Sequence, residues 1–113
     1  MDAQAALSEL VALSTQVVEA VVTMSDGAVE AARAEGERAR GLAAAGAELL
    51  AEASSLRPEV GVERVHVDLG RGSLVAVSDG ARTIVARTVP DPTAGLVAFD
   101  LRTALRRIAE DDA

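Results

Sequence analysis

The chain contains no cysteine, lysine, tryptophan or tyrosine, and its one aromatic residue is Phe99. Without cysteine there are no disulfides and no thiolate metal ligands. His66 is the only histidine. No second imidazole exists to complete a zinc site, and a solvated or interface position accounts for it. Every cation is an arginine, scattered among carboxylates, and the formal net charge is −7. That balance argues against binding nucleic acid or an anionic membrane surface. No apolar run reaches the roughly 18 residues of a membrane-spanning helix. Met1-Asp2-Ala3-Gln4 also lacks the basic region of a secretory signal. The expectation is a cytoplasmic protein with no direct membrane insertion.

Catalytic groups are equally scarce. Ser25, Ser73 and Ser78 have no histidine base in any evident arrangement. Asp26 and Asp79 each precede a glycine, so turn chemistry explains them. With Asp68 they are too sparse for a calcium loop, which needs a dense run of oxygen ligands. Gly70-Arg71-Gly72-Ser73 resembles a fragment of a phosphate loop, but it joins two strands and opens onto no helix N-terminus. The reading is a non-enzymatic chain with no metal and no cofactor.

What the sequence does have is aliphatic residues: half of its 113 positions are apolar, mostly Ala, Val and Leu. This length suits one domain over residues 1–113 and a core without covalent staples. Small side chains bury little area, at roughly 25 cal/mol per Å², so modest stability per monomer is expected, and a partner surface would add to it.

Periodicity gives the elements. Ala3, Ala6, Leu7, Leu10, Val11 and Leu13 predict a helix over 3–14. Val17–Met24 predicts a strand apolar on both faces, hence covered on both sides. Ser25-Asp26-Gly27 turns the chain, and Ala28–Ala32 is a returning strand poor in strand formers. Gly36–Leu56 is the longest helix. One stripe on it, Leu42, Gly46, Leu49, Ala53 and Leu56, has the spacing of a helix-packing seam. A second stripe, Ala39, Ala43, Ala47 and Leu50, runs beside it. One stripe can cover the sheet, leaving the other for a partner. One broad core face is the alternative. Leu56-Arg57-Pro58 ends the helix.

Three strands follow. Val62–Leu69 places Val65, Val67 and Leu69 inward and Arg64, His66 and Asp68 outward. Ser73–Val77 and Arg82–Val89 flank the Asp79-Gly80 hairpin signal. Asp91-Pro92 reads as a helix start, with Asp as N-cap and Pro at the first position. Arg102, Arg106 and Arg107 would suit the negative end of its dipole, and residues 110–113 a frayed acidic tail. The order α-β-β-α-β-β-β-α implies an antiparallel sheet with helical covers, an α+β or α/β sandwich.

These strings resemble the Roadblock/dynein light chain family. Val62-Glu63-Arg64-Val65-His66-Val67 followed by Arg71-Gly72-Ser73-Leu74-Val75 is similar to the family's edge hairpin. Ser78-Asp79-Gly80-Ala81 is similar to its next turn, and Gly95-Leu96-Val97-Ala98-Phe99-Asp100-Leu101 to its final helix in bacterial members. Val18–Gly27 and Glu37–Leu56 resemble its first strand and central helix. The charged, alanine-rich Ala28–Glu35 departs from the pattern.

The resemblance implies an α+β, profilin-like sandwich with one antiparallel five-stranded sheet, forming a single Roadblock-like domain. It further implies a dimer, here expected as a homodimer, that binds a small Ras-like GTPase as a regulatory or scaffold protein in bacterial signalling. Carried onto this chain, Ala39, Ala43, Gly46, Ala47 and Leu50 would pair the helices, and Val65, His66 and Val67 would pair the edges. Arg40, Glu48 and Glu52 would meet the GTPase. The alternative is a profilin- or PAS-like small-molecule-sensing domain. Such pockets favour aromatic lining, which a single Phe cannot supply.

Overall fold

The structure, a computed structural model, describes residues 1–56 and 63–112. Helix α1 (Ala3–Leu13) is started by Asp2, whose carboxylate accepts the Ala5 N–H at 2.8 Å. Strand β1 (Val17–Met24) is covered on both faces, as its valine content predicts. The Asp26 carboxylate accepts the Ala28 N–H at 2.9 Å in the turn that follows. The chain then returns as β2 (Val29–Arg33), so the alanine-rich segment does form a strand. Pairing with a central strand overrides its weak local preference.

Helix α2 spans Gly36–Leu56. Strands β3 (Arg64–Asp68), β4 (Ser73–Ser78) and β5 (Arg82–Thr88) complete one five-stranded antiparallel sheet in the order β2-β1-β5-β4-β3. Between β3 and β4, Gly72 has φ +151°, and a Cβ there would stand 2.5 Å from the Thr88 carbonyl oxygen. A side chain is excluded there on both counts. The expected helix terminator Arg57-Pro58 and the strand start at Val62 lie outside the described residues.

Helix α3 runs Ala94–Asp112 and corrects two expectations. It does not begin at Asp91-Pro92: Asp91 is left-handed at φ +52°. The Thr93 carbonyl instead accepts the Leu96 and Val97 N–H groups, both at 3.0 Å. The helix also continues through Glu110, Asp111 and Asp112, so its last turn carries acids and no base. The three arginines stand further back and do not complement the dipole.

The helices form unequal covers. Helices α1 and α3 share one core with Ala20, Val22, Ala31, Val75, Val77, Ile84 and Ala86 of the sheet. Helix α2 alone lies on the other face, over Val21, Ala76 and Val85. Strand alternation explains how one sheet feeds both cores.

Candidate functional site

Helix α2 touches all five strands, yet open grooves remain on both of its flanks. Ala39, Ala43 and Gly46 are buried against the chain's own sheet, and Leu50 is half-buried against the same core. These four therefore face the chain's own sheet and not outward, where the resemblance would have them pair with a partner helix. Small side chains are required where α2 crosses Val21, Ala76 and Val85. Ala47 is exposed on the other flank, in a groove with the β1–β2 and β4–β5 turns.

Leu42 is half-buried against the same core and also reaches the opposite flank of the helix. Leu42 and Ala45 of α2 line an open groove with Leu74 of β4, next to the edge strand. Leu49, one turn after Ala45, is half-buried on the same flank, and Leu56 at the helix end is 80% exposed. Leu42, Leu49 and Leu56 belong to the seam with heptad spacing, so their pattern was visible. What was not visible was which stripe the sheet would take. Glu19 rims the groove, its Oε1 accepting from Arg38 Nη2 and Arg87 Nε, each at 2.7 Å. One carboxylate thereby ties α2 to β1 and β5.

Beside the groove runs β3. Val65 and Val67 pair with Ala76 and Leu74, which puts both on the α2 face, half-buried. His66 pairs with Val75 and so stands on the opposite face, exposed. Leu69, expected inward, is 58% exposed because the strand ends at Asp68. The Ser78 N–H donates to the Glu63 carbonyl at 2.8 Å, and the Leu69 N–H to the Gly72 carbonyl at 2.9 Å. By the alternation of an antiparallel ladder, the backbone groups of Val65 and Val67 then point to β4. Those of Arg64, His66 and Asp68 point away from β4, on the outer side of the sheet.

The other edge differs. Helix α1 packs against β2, and Gln4 Nε2 donates to the Ala32 carbonyl at 3.3 Å. One edge is thus partly capped, while among the described residues nothing pairs with the outer side of β3, which marks β3 as the edge able to accept a strand. Arg40, Glu48 and Glu52 are all exposed on the outer side of α2. Among the described residues there is no cluster of three or more His, Asp or Glu fit to hold a metal, and no helix long and apolar enough to cross a membrane.

No protein-family model matches the sequence, and no curated protein matches it. Solved structures do. A Roadblock/LC7 domain from Streptomyces avermitilis superposes with a TM-score of 0.85 over 97% of each chain, at 18% identity. This is the Roadblock/LC7 fold. Myxococcus xanthus MglB shares it at TM-score 0.76 and 16% identity, over 96% of this chain and 88% of that one. The profilin-like character is also direct: profilin II from Acanthamoeba castellanii aligns at TM-score 0.65 and 16% identity, over 96% and 98%. In this chain β3 stands at the sheet edge and α2 lies on the face that holds Val21, Ala76 and Val85, the two features that shape this surface.

Proposed function

We propose that this chain is a non-enzymatic subunit that pairs with a second copy and, as a dimer, binds a small Ras-like GTPase as a regulator or scaffold in the bacterial cytoplasm. One observation carries the reading: the outward backbone groups of Arg64, His66 and Asp68 adjoin the half-buried apolar flank formed by Leu42, Ala45 and Leu74. A second copy meeting this surface about a twofold axis would extend the sheet and bury both flanks together. In this arrangement Leu42, Ala45 and Leu49 take the helix-pairing role first assigned to Ala39, Ala43 and Leu50. Val65 and Val67 lie beneath the joint.

The helix layer of such a dimer presents Arg40, Glu48 and Glu52 outward, and these are the candidate GTPase contacts. The shared fold with MglB supports the reading. One neighbour is the gliding protein MglB of Thermus thermophilus, and another is an MglB in a tetrameric arrangement. The test is sedimentation of the full chain at micromolar concentration, then co-elution with a Ras-like GTPase from the same genome in its two nucleotide states. A dimer mass and co-elution that depends on the nucleotide are expected. A monomer, or a GTPase that elutes alone in both states, refutes the proposal.

A further inference from the structure

Helix α3 carries a second surface, one that a joint at β3 does not use. Its inner side is core: Val97, Leu101, Ala104, Leu105 and Ile108 are all buried. Its outer side has a pattern of its own. Phe99, Arg106 and Arg107 are exposed there, and Asp100 and Thr103 are half-buried between them. Asp100 and Arg107 stand two turns apart on the flank toward α1, where both line the α1–α3 groove with Thr103. Phe99 and Arg106, also two turns apart, stand on the other flank, where Arg106 faces the β3–β4 side. We propose that α3 pairs antiparallel with α3 of a second copy about a twofold axis at Thr103, setting Asp100 against Arg107 and Phe99 against Arg106 of that copy.

Self-complementarity decides the occupant. Thr103 lies at the middle of both pairs. A twofold axis across the helix reverses its direction but keeps each flank on its own side. Asp100 therefore meets the second copy's Arg107, and that copy's Asp100 meets Arg107. On the other flank Phe99 meets the second copy's Arg106, again twice. A parallel pair would set acid against acid and guanidinium against guanidinium. A partner of another sequence would need only one half of each pair, whereas α3 carries both halves at matching distances from one residue.

The groups are available for these contacts. Asp100 makes no ion pair among the described residues, and Arg106 reaches only the Thr103 hydroxyl, at 3.4 Å. Arg107 donates to Glu9 from Nη1, and its fork keeps further N–H groups for a second carboxylate. A guanidinium over the Phe99 ring is a favourable cation–π contact. Thr103 is small enough at the crossing to allow the usual spacing of roughly 8–10 Å between helix axes. Beyond the two pairs, Leu96 would face Glu110 without complementarity, so the contact is short and its dissociation constant on the order of 100 µM. The joint uses no residue of β3 or α2 and so does not depend on pairing there. Where both joints form, dimers link into larger assemblies.

The chain has no cysteine, so one introduced thiol reports on the contact. Under mild oxidation at about 100 µM, Thr103→Cys should form an intermolecular disulfide at least tenfold faster than Arg102→Cys. Only at the twofold axis do the two copies come within disulfide reach, about 4.4–6.8 Å between Cα atoms. In the Thr103→Cys chain, Arg107→Asp should slow the reaction at least tenfold, and adding Asp100→Arg should restore it. Phe99→Ala should slow it several-fold. Adding His66→Pro should leave the rate unchanged and yield a covalent dimer, so failure at β3 and failure at α3 read out separately. The unaltered chain should also gain mass in sedimentation as its concentration rises from about 10 to about 500 µM. Equal rates for Thr103→Cys and Arg102→Cys would refute the proposal. So would a charge swap that fails to restore the rate, or a mass that does not rise.

Discussion

Gly46 lies so close over Val85 that a Cβ built on it would fall 2.1 Å from Val85 Cγ2. This contact sets the height of α2 above the sheet and explains why a glycine is kept within a helix despite its cost of about 1 kcal/mol relative to Ala. Gly46→Ala should therefore destabilise the fold by roughly 1–3 kcal/mol, since overpacking outweighs the gain in propensity. Gly41, with nothing within 4 Å of its virtual Cβ, is the control. Gly41→Ala should stabilise by up to about 1 kcal/mol. Chemical denaturation of both variants checks the pair.

The bare edge makes a separate prediction. The His66 N–H points away from β4, so His66→Pro removes a donor from the open edge and none from the existing ladder. Sedimentation should show a monomer with near-parental circular dichroism. The neighbouring substitution Val67→Pro removes a donor inside the sheet and should unfold β3 itself. A His66→Pro protein that remains a dimer would show that β3 is not the joint.

Arg82 is 8% exposed and donates to Glu30 from Nε to Oε2 at 2.7 Å and to Oε1 at 3.3 Å, and from Nη2 to Oε1 at 3.1 Å. The pair fastens the edge strand β2 to the β4–β5 hairpin. Glu30→Ala leaves a largely buried guanidinium without this carboxylate and should cost roughly 1–3 kcal/mol, the range for a lost buried polar partner. Glu30→Gln, which keeps one acceptor oxygen, should cost less. Thermal melts at neutral pH compare them.

Helix α3 offers a contrast between neighbouring positions. Leu101 is fully buried and Phe99 is 60% exposed. Leu101→Ala should cost about 2–5 kcal/mol. Phe99→Ala should stay within about 0.5 kcal/mol of the parent, as surface substitutions do. A large loss at Phe99 in sedimentation-verified dimers, absent from monomers, would place that ring in a contact between copies.

Much of the architecture was legible because local chemistry and tertiary demand agree. The valines of β1 predicted cover on both sides, Asp79-Gly80 predicted a hairpin, and heptad spacing predicted α2, and each has its counterpart in the structure. The start of α3 was misread because Asp91-Pro92 has the right residues but takes a left-handed turn instead, so the helix begins at the next chance, after Thr93. Strand β2 looked doubtful for the opposite reason: its alanines carry no preference strong enough to show, and only the ladder to β1 holds them extended.

By itself the sequence determined the order and type of the elements, because apolar spacing and turn residues act over a few neighbouring positions. It also determined that the chain lacks residue sets for thiolate or zinc chemistry. It did not decide which stripe of α2 meets the sheet. Two apolar stripes side by side satisfy the same periodicity, and the sheet takes residues from both: Ala39, Ala43 and Leu50 of one, and Gly46, seated over Val85, of the other. Only the tertiary structure therefore decided that Ala39, Ala43 and Gly46 turn inward while Leu42, Ala45 and Leu49 are left along the open edge of β3.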